Sequence, residues 1–471
     1  MDQAQSTIRL IESFWPRARD LDPMHLVTAG DWKCFQRLFG TLVECGTGST
    51  IRPALAESWE QSPDGLTWTF SLRGGQKWSD GSPMLPREVL ASFERVLSKT
   101  THTELSTFVK EVALTTDDKL RFHLKKSPGN FLIALGVADL SVVHPRAYAG
   151  EKFNWDAPSS GSYRVSSYAP TEMVLERNPF YWERQQRPIQ RVLLRRGTGN
   201  PADVNILLQG DWDGCHLSPG AADTKALDEL SKNYSIHVGR PDYLMALEWS
   251  RMKSNTGALS TQFRRYALRK IYRNFWKGLP DDPLRGVGLR PEGTFGALTR
   301  KEFDQILDSI PEDESPSLPK TLVVLIRDMF RDRDGLERLL KSIEESGFRV
   351  TRKYGSYDEI EALRESGDYD LSICYLGASE ADPDSAWRIF NESILATPAA
   401  TSAELAQAQL ESDRLKRSQI YEGFERKLVS EGLLVPIRYE TTYIVTSKRL
   451  VLDPLIANDW GLQPFKLQLA E

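Results

Sequence analysis

No single hydrophobic core can serve 471 residues, because one core stops growing beyond about 250–300 residues and longer chains divide. The apolar side chains must therefore collect around two or three centres along one continuous polypeptide. No membrane-spanning segment sets those divisions: the longest apolar run, 131–137, is far short of the roughly 20 residues that cross a bilayer. The order of strands, helices and turns has to place them.

The first third is dense in strand and turn signals. Residues 7–14 alternate apolar with polar, as an antiparallel or edge strand would, and Asp20-Leu21-Asp22-Pro23 stops them in a turn. Phe35, Leu38, Phe39 and Leu42 follow at helical spacing. Over 59–72 the pattern is a hairpin. Ser62-Pro63-Asp64-Gly65 makes its bend, since proline presets φ and glycine tolerates a positive one, and Leu66, Trp68, Phe70 and Leu72 share a face. Beyond the loop Ser79-Asp80-Gly81-Ser82-Pro83, Pro86 opens a helix carrying Val89, Leu90, Phe93, Val96 and Leu97. A β-rich stretch at 114–125 and a short apolar helix near Phe131 complete this block. Strands return at 162–168, 172–177 and 189–196. A helix follows at 262–276, then an αβ unit at 322–350 behind the Pro/Glu/Asp/Ser-rich connector 310–319. The mixture predicts an α/β fold of sheets flanked by helices.

Charge and composition remove several functions. With 60 basic and 65 acidic side chains the formal charge is -5, so no general positive field exists to condense on nucleic acid. The hydrophobic share of 40% against 27% charged argues for a chain folded throughout. Six histidines without HExxH or HxH spacing, and four cysteines (Cys34, Cys45, Cys215, Cys374) without CxxC, give no metal set and no redox pair; neither metal nor cofactor is expected. A Cys34–Cys45 disulfide is open to an exported chain, with free buried thiols the alternative. Gly197-Thr198-Gly199-Asn200-Pro201-Ala202 imitates a dinucleotide turn, but Asn200 as N-cap and Pro201 at the first helical position explain it as a strand-to-helix turn. Neither a P-loop nor a nucleophile elbow occurs, so no motif in the chain supports catalysis. The first residues lack a basic then apolar secretory leader, which fits either a mature exported protein or a cytosolic one.

A series of pieces then falls in a recognisable order. Pro53-Ala54-Leu55-Ala56-Glu57-Ser58-Trp59, Asp64-Gly65, Thr67-Trp68-Thr69-Phe70, Leu72-Arg73, Trp78-Ser79-Asp80-Gly81-Ser82-Pro83 and Phe93-Glu94-Arg95 make the strongest stretch. Leu21-Asp22-Pro23, Gly161-Ser162-Tyr163, Arg177-Asn178-Pro179-Phe180-Tyr181-Trp182, Phe263–Leu268, Gly347-Phe348 with Gly367-Asp368-Tyr369-Asp370, and Leu434-Val435-Pro436-Ile437 extend it nearly end to end. Together they resemble the extracellular solute-binding proteins of family 5, which serve peptide- and nickel-type ABC importers. Turn chemistry and aromatic packing account for the signature residues, so the signature identifies a fold and not a cargo.

The resemblance implies a periplasmic-binding-protein-like fold of type II, cluster C. Lobe I would comprise 1–44, 155–243 and 432–471, with 45–154 as an accessory subdomain, and lobe II 244–431. Two crossings, near Tyr243–Ser250 and Leu433–Tyr439, would form a hinge that closes on a peptide or peptide-like solute in the interlobe cleft. Implied partners are that solute and the importer's membrane subunits; the expected state is a monomer in the periplasm or outside the cell. A cytosolic ligand-sensing domain of a regulator, built on the same fold, is the second reading.

Peptide-binding members hold the ligand's α-ammonium with an aspartate three residues before a (D/E)P pair. Here Tyr375-Leu376-Gly377-Ala378-Ser379-Glu380-Ala381-Asp382-Pro383-Asp384 puts Ser379 at that position, and Leu376 where a tryptophan is common. The acids and Pro383 also suit the first turn of a helix leading to Trp387. Candidate ligand-binding residues are therefore Trp32, Lys33 and Cys34 after the LDP turn, Trp249 on the first crossing, and Tyr375, Gly377, Ser379 and Glu380.

Overall fold

The computed structural model describes residues 6–470 apart from 13–14, 17–20, 26–28, 46–49, 99–104, 106–107, 184–187, 198–200, 218–223, 240, 242, 280, 312–320, 329–333, 378–398 and 453–466. The chain forms two compact units, Met1–Gly239 with Tyr443–Glu471, and Arg240–Thr442.

The main sheet of the first unit runs β12 (Tyr234–Val238), β18 (Tyr443–Ser447), β11 (Gly214–Leu217), β1 (Thr7–Glu12), β10 (Arg191–Arg196), β9 (Glu172–Arg177), β8 (Tyr163–Ala169). β1 lies inside it, parallel to β10 with Thr7 opposite Arg191, and to β11 with Leu10 opposite Gly214. This corrects the antiparallel or edge placement expected from its alternation. Ile8 and Leu10 meet one core with Phe35 and Leu38 of helix Ala29–Leu38, while Ile11 meets another with Val204 and Leu207 of helix Pro201–Leu208. Both faces are covered. Of the polar residues that suggested a solvated face, Arg9 is exposed but Glu12 is buried in an ion pair.

A third core belongs to residues 42–142. It is built on the antiparallel sheet β4 (Ala56–Gln61), β5 (Thr67–Leu72), β7 (Leu120–Leu124), β6 (Val109–Leu114), with helix Pro86–Ser98 contributing Val89, Phe93 and Val96. Phe122 takes Phe70, Phe93 and Phe131 edge-on at centroid distances of 5.6, 5.1 and 5.6 Å, the geometry favoured by the ring quadrupoles. The hairpin bends as its residues dictate: Asp64 accepts from the Ser62 hydroxyl at 2.5 Å and the Leu66 N–H at 3.0 Å, and Gly65 has φ of 72°. Two short pairs complete the unit, β2 (Val43–Cys45) with β3 (Ile51–Pro53) and β19 (Leu450–Leu452) with β20 (Leu467–Leu469).

The second unit holds one sheet, β15 (Arg349–Gly355), β14 (Thr321–Arg327), β16 (Leu371–Gly377), β13 (Tyr243–Trp249), β17 (Leu434–Glu440). β14 is parallel to β15 and β16, whereas β13 runs antiparallel to β16 and β17. Helices Thr261–Phe275 and Asp334–Glu345 supply Phe263, Leu268, Ile271, Leu339 and Ile343 to its core. Helix Tyr357–Ser366 starts in a Ser356/Glu359 capping box and ends on Gly367, whose φ of 72° suits glycine. The chain enters this unit at Gly239/Arg240 and leaves it at Thr442/Tyr443. The stretches near Tyr243–Ser250 and Leu433–Tyr439, expected from the resemblance as crossings, are largely taken up by strands β13 and β17, and the limits of the two units lie just outside those strands.

Candidate ligand-binding site

In α/β sheets, ligands are met outside the carboxyl ends of parallel strands. In the first unit those ends belong to β10, β1 and β11, and on the last two Glu12 and His216 stand in register and point to the same face. Lys33 and Arg37, four residues apart on helix Ala29–Leu38, present one helical face. The Arg37 guanidinium donates to Glu12 Oε2 at 2.5 Å, and Lys33 Nζ lies 2.6 Å from His216 Nδ1. All four are buried, with exposures of 4% for Glu12, 0% for Lys33, 1% for Arg37 and 2% for His216. Burial, then the Lys33 and Arg37 cations, hold the His216 pKa well below its ordinary value. The ring is neutral, and its Nδ1 lone pair accepts from the Lys33 ammonium.

This quartet anchors the helix to the strand ends. Gly161 permits the fit: a Cβ there would come within 2.6 Å of the Arg37 carbonyl oxygen. The LDP turn is fixed beside it, with Asp22 accepting from the Met24 N–H and the Arg95 guanidinium, both at 3.1 Å. Of the three neighbouring candidates, Lys33 and Cys34 are buried and Trp32 is half-exposed. Burial pushes the Cys34 thiol up to about 12, so it is no nucleophile. All four cysteines are free thiols.

In the second unit Trp249 is 3% exposed, its indole N–H donates to the Gly432 carbonyl at 2.8 Å, and its ring meets Phe263 edge-on. It belongs to the core. Tyr375 and Gly377 lie at the carboxyl end of β16 and are half-buried. The Tyr375 hydroxyl donates to Glu440 Oε2 at 2.5 Å. Ser379 and Glu380 lie outside the described residues, as do Asp382, Pro383 and Asp384. Glu12, Arg37, His216 and Glu440 were not singled out by the sequence. The i,i+4 spacing of Lys33 and Arg37 was the one available signal, and it does not name their partners.

Among the described residues no group of three or more His, Cys, Asp or Glu side chains is arranged to hold a metal ion. No helix among them is long and apolar enough to cross a membrane.

Residues 50–269 match the family model for bacterial extracellular solute-binding proteins, family 5 Middle. The periplasmic oligopeptide-binding protein OppA of Salmonella typhimurium is 22% identical over 91% of this chain and 87% of its own. Among solved structures, the Helicobacter pylori periplasmic binding protein DppA in complex with the peptide STSA superposes with a TM-score of 0.78 at 18% identity, covering 100% of both chains. A dipeptide-binding protein from Pseudoalteromonas in complex with Met-Leu gives 0.79 at 14% identity, over 98% of this chain and 100% of that one. Residues 50–269 are thus similar to the extracellular solute-binding proteins of family 5, and the chain as a whole shares the fold of the periplasmic binding proteins.

Proposed function

We propose that this chain is the substrate-binding receptor of an ABC-type importer and captures a small solute of the peptide or peptide-like class. The observation that carries this reading is the end-to-end likeness to peptide receptors, which spans both units and not the signature segment alone. It is a binding protein and not an enzyme. The receptor works in the periplasm or outside the cell, as a monomer that presents its loaded form to the membrane subunits.

The mechanism we propose is closure. The chain passes between its units twice, at Gly239/Arg240 and Thr442/Tyr443, and a solute held by both lobes shifts an open/closed equilibrium by its differential affinity for the closed state. Residues 45–154 act as an accessory subdomain of the first lobe, a reading supported by the separate sheet and core within 42–142. Trp32, Tyr375, Gly377, Ser379 and Glu380 are proposed to touch the solute, whereas Lys33, Cys34 and Trp249 act from beneath by fixing the surfaces that do.

The test is native mass spectrometry of the protein purified from its own host. A bound species of peptide mass that leaves on denaturation is expected. Protein that emerges empty and then takes up nothing from a mixed peptide and small-solute library would contradict the reading.

A further inference from the structure

Four strands of the first unit, β8, β9, β10 and β1, keep one face for the core and leave most of the other open. Side chains alternate across a strand, and one set, with Tyr163, Leu175, Leu194 and Leu10 among it, is buried in a single core. Register orders the other set. Arg164, Glu176, Arg191 and Thr7 stand in one row, Val174, Leu193 and Arg9 in the next, and Glu172, Arg195 and Ile11 in the third. All four arginines are exposed, and of the three rows only Ile11 is buried.

Charge is unbalanced on this face: it holds four guanidiniums against two carboxylates, on a chain whose formal charge is -5. Arg164 pairs with Glu176 across the β8/β9 ladder. The Arg9 and Arg191 guanidiniums make no ion pair or hydrogen bond among the described residues. That of Arg195 lies 5.9 Å from the centroid of the half-exposed Trp212 ring, while Glu172 stands opposite it in register without pairing. β10 and β1 are hydrogen-bonded on both sides, so these cations do not flank an edge to which a peptide strand could add. Beside Arg9 the face dips into a recess of about 650 Å³, walled in part by Leu207, Trp212 and Leu208, the last 40% exposed. Of its two carboxylates, Asp213 is held by the Arg449 guanidinium at 2.5 and 2.7 Å and Asp211 is exposed.

We infer that this face of the first unit rests on an anionic phospholipid surface. Guanidinium forks match phosphate oxygens two at a time, and a fluid array of headgroups adjusts to whatever spacing Arg9, Arg191 and Arg195 present. Trp212 and Leu208 supply the aromatic and apolar groups that suit the boundary between headgroups and acyl chains. The negative charge of the whole chain does not oppose this contact, because a Debye length of about 8 Å at physiological ionic strength lets the membrane sense the near face. Such contact keeps the protein at a membrane and is independent of the solute captured.

The experiment is co-sedimentation of the full chain with vesicles of phosphatidylglycerol mixed with phosphatidylcholine, and with vesicles of phosphatidylcholine alone. Wild type should bind the anionic vesicles, leave them in high salt and ignore the neutral ones. Each guanidinium near an anionic surface contributes about fivefold, so Arg9→Gln/Arg191→Gln should bind roughly 25-fold less tightly. Both side chains are exposed, and a thermal midpoint matching wild type checks that the fold is intact. Lys341→Gln/Lys416→Gln removes the same charge from exposed positions of the second unit and should keep the wild-type affinity. No preference for anionic vesicles, or equal losses in the two double variants, overturns the inference. Binding to soluble polyglutamate that depends on Arg9 and Arg191, without binding to vesicles, overturns it too and assigns the face to an acidic polypeptide.

Discussion

Replacing Arg37 with leucine is expected to destabilise the protein by about 3–5 kcal/mol, the usual cost of removing one partner from a buried ion pair. The loss comes from what remains. Glu12 is 4% exposed and sits at the end of β1, so its charge would be left in the core beside a neutral His216 and without its guanidinium. The Glu12→Leu/Arg37→Leu double variant removes both charges and should recover most of the loss, since apolar replacement of a buried pair is often near neutral. Urea unfolding of the three proteins measures this directly. A single variant within 1 kcal/mol of wild type, or a double variant worse than the single, would show that the pair does not hold helix Ala29–Leu38 to the sheet.

Glu425 gives the second large effect, as a dependence of stability on pH. Its carboxyl lies on helix Arg414–Ser430, fully buried, accepting from the Leu289 N–H at 2.8 Å, and an added Cβ at Gly288 would strike it. Tyr439 clamps the same loop, its hydroxyl 2.6 Å from the Arg290 carbonyl oxygen. Burial outweighs the backbone N–H groups and the Arg290 guanidinium, and raises the carboxyl pKa from 4.5 to about 8. A folded pKa above the unfolded one means that the native state binds the proton more tightly. Stability from this group is therefore complete below about pH 4.5 and is lost progressively up to about pH 8, by at most on the order of 5 kcal/mol. Glu425→Gln cannot ionise. Its stability should fall less than that of wild type between pH 5 and 8, so that the variant is the more stable protein at pH 8. Equal slopes for the two would contradict the assignment.

Local elements were legible because their causes are local. Pro63-Asp64-Gly65 needs no distant partner to bend, and the apolar spacing from Phe263 to Ile271 needs only a helix. β1 was misplaced because alternation reports polar side chains, not exposure, and Glu12 is polar and buried. The site was less legible for a related reason. Lys33 stood out only through family resemblance, and its partner His216 lies 183 positions away, brought opposite by the β1/β11 register. Glu440 was invisible in the same way, because its environment exists only when β16, β13 and β17 align. Trp249 shows the converse: a residue chosen for its type and position proved to spend its indole on the core.

Whether solute capture closes the two lobes is best measured by small-angle X-ray scattering on the empty receptor and on the receptor saturated with the solute identified by native mass spectrometry, with saturation checked by calorimetry. Closure predicts a smaller radius of gyration and a shorter maximum dimension in the loaded state. Superimposable profiles at proven saturation would contradict it.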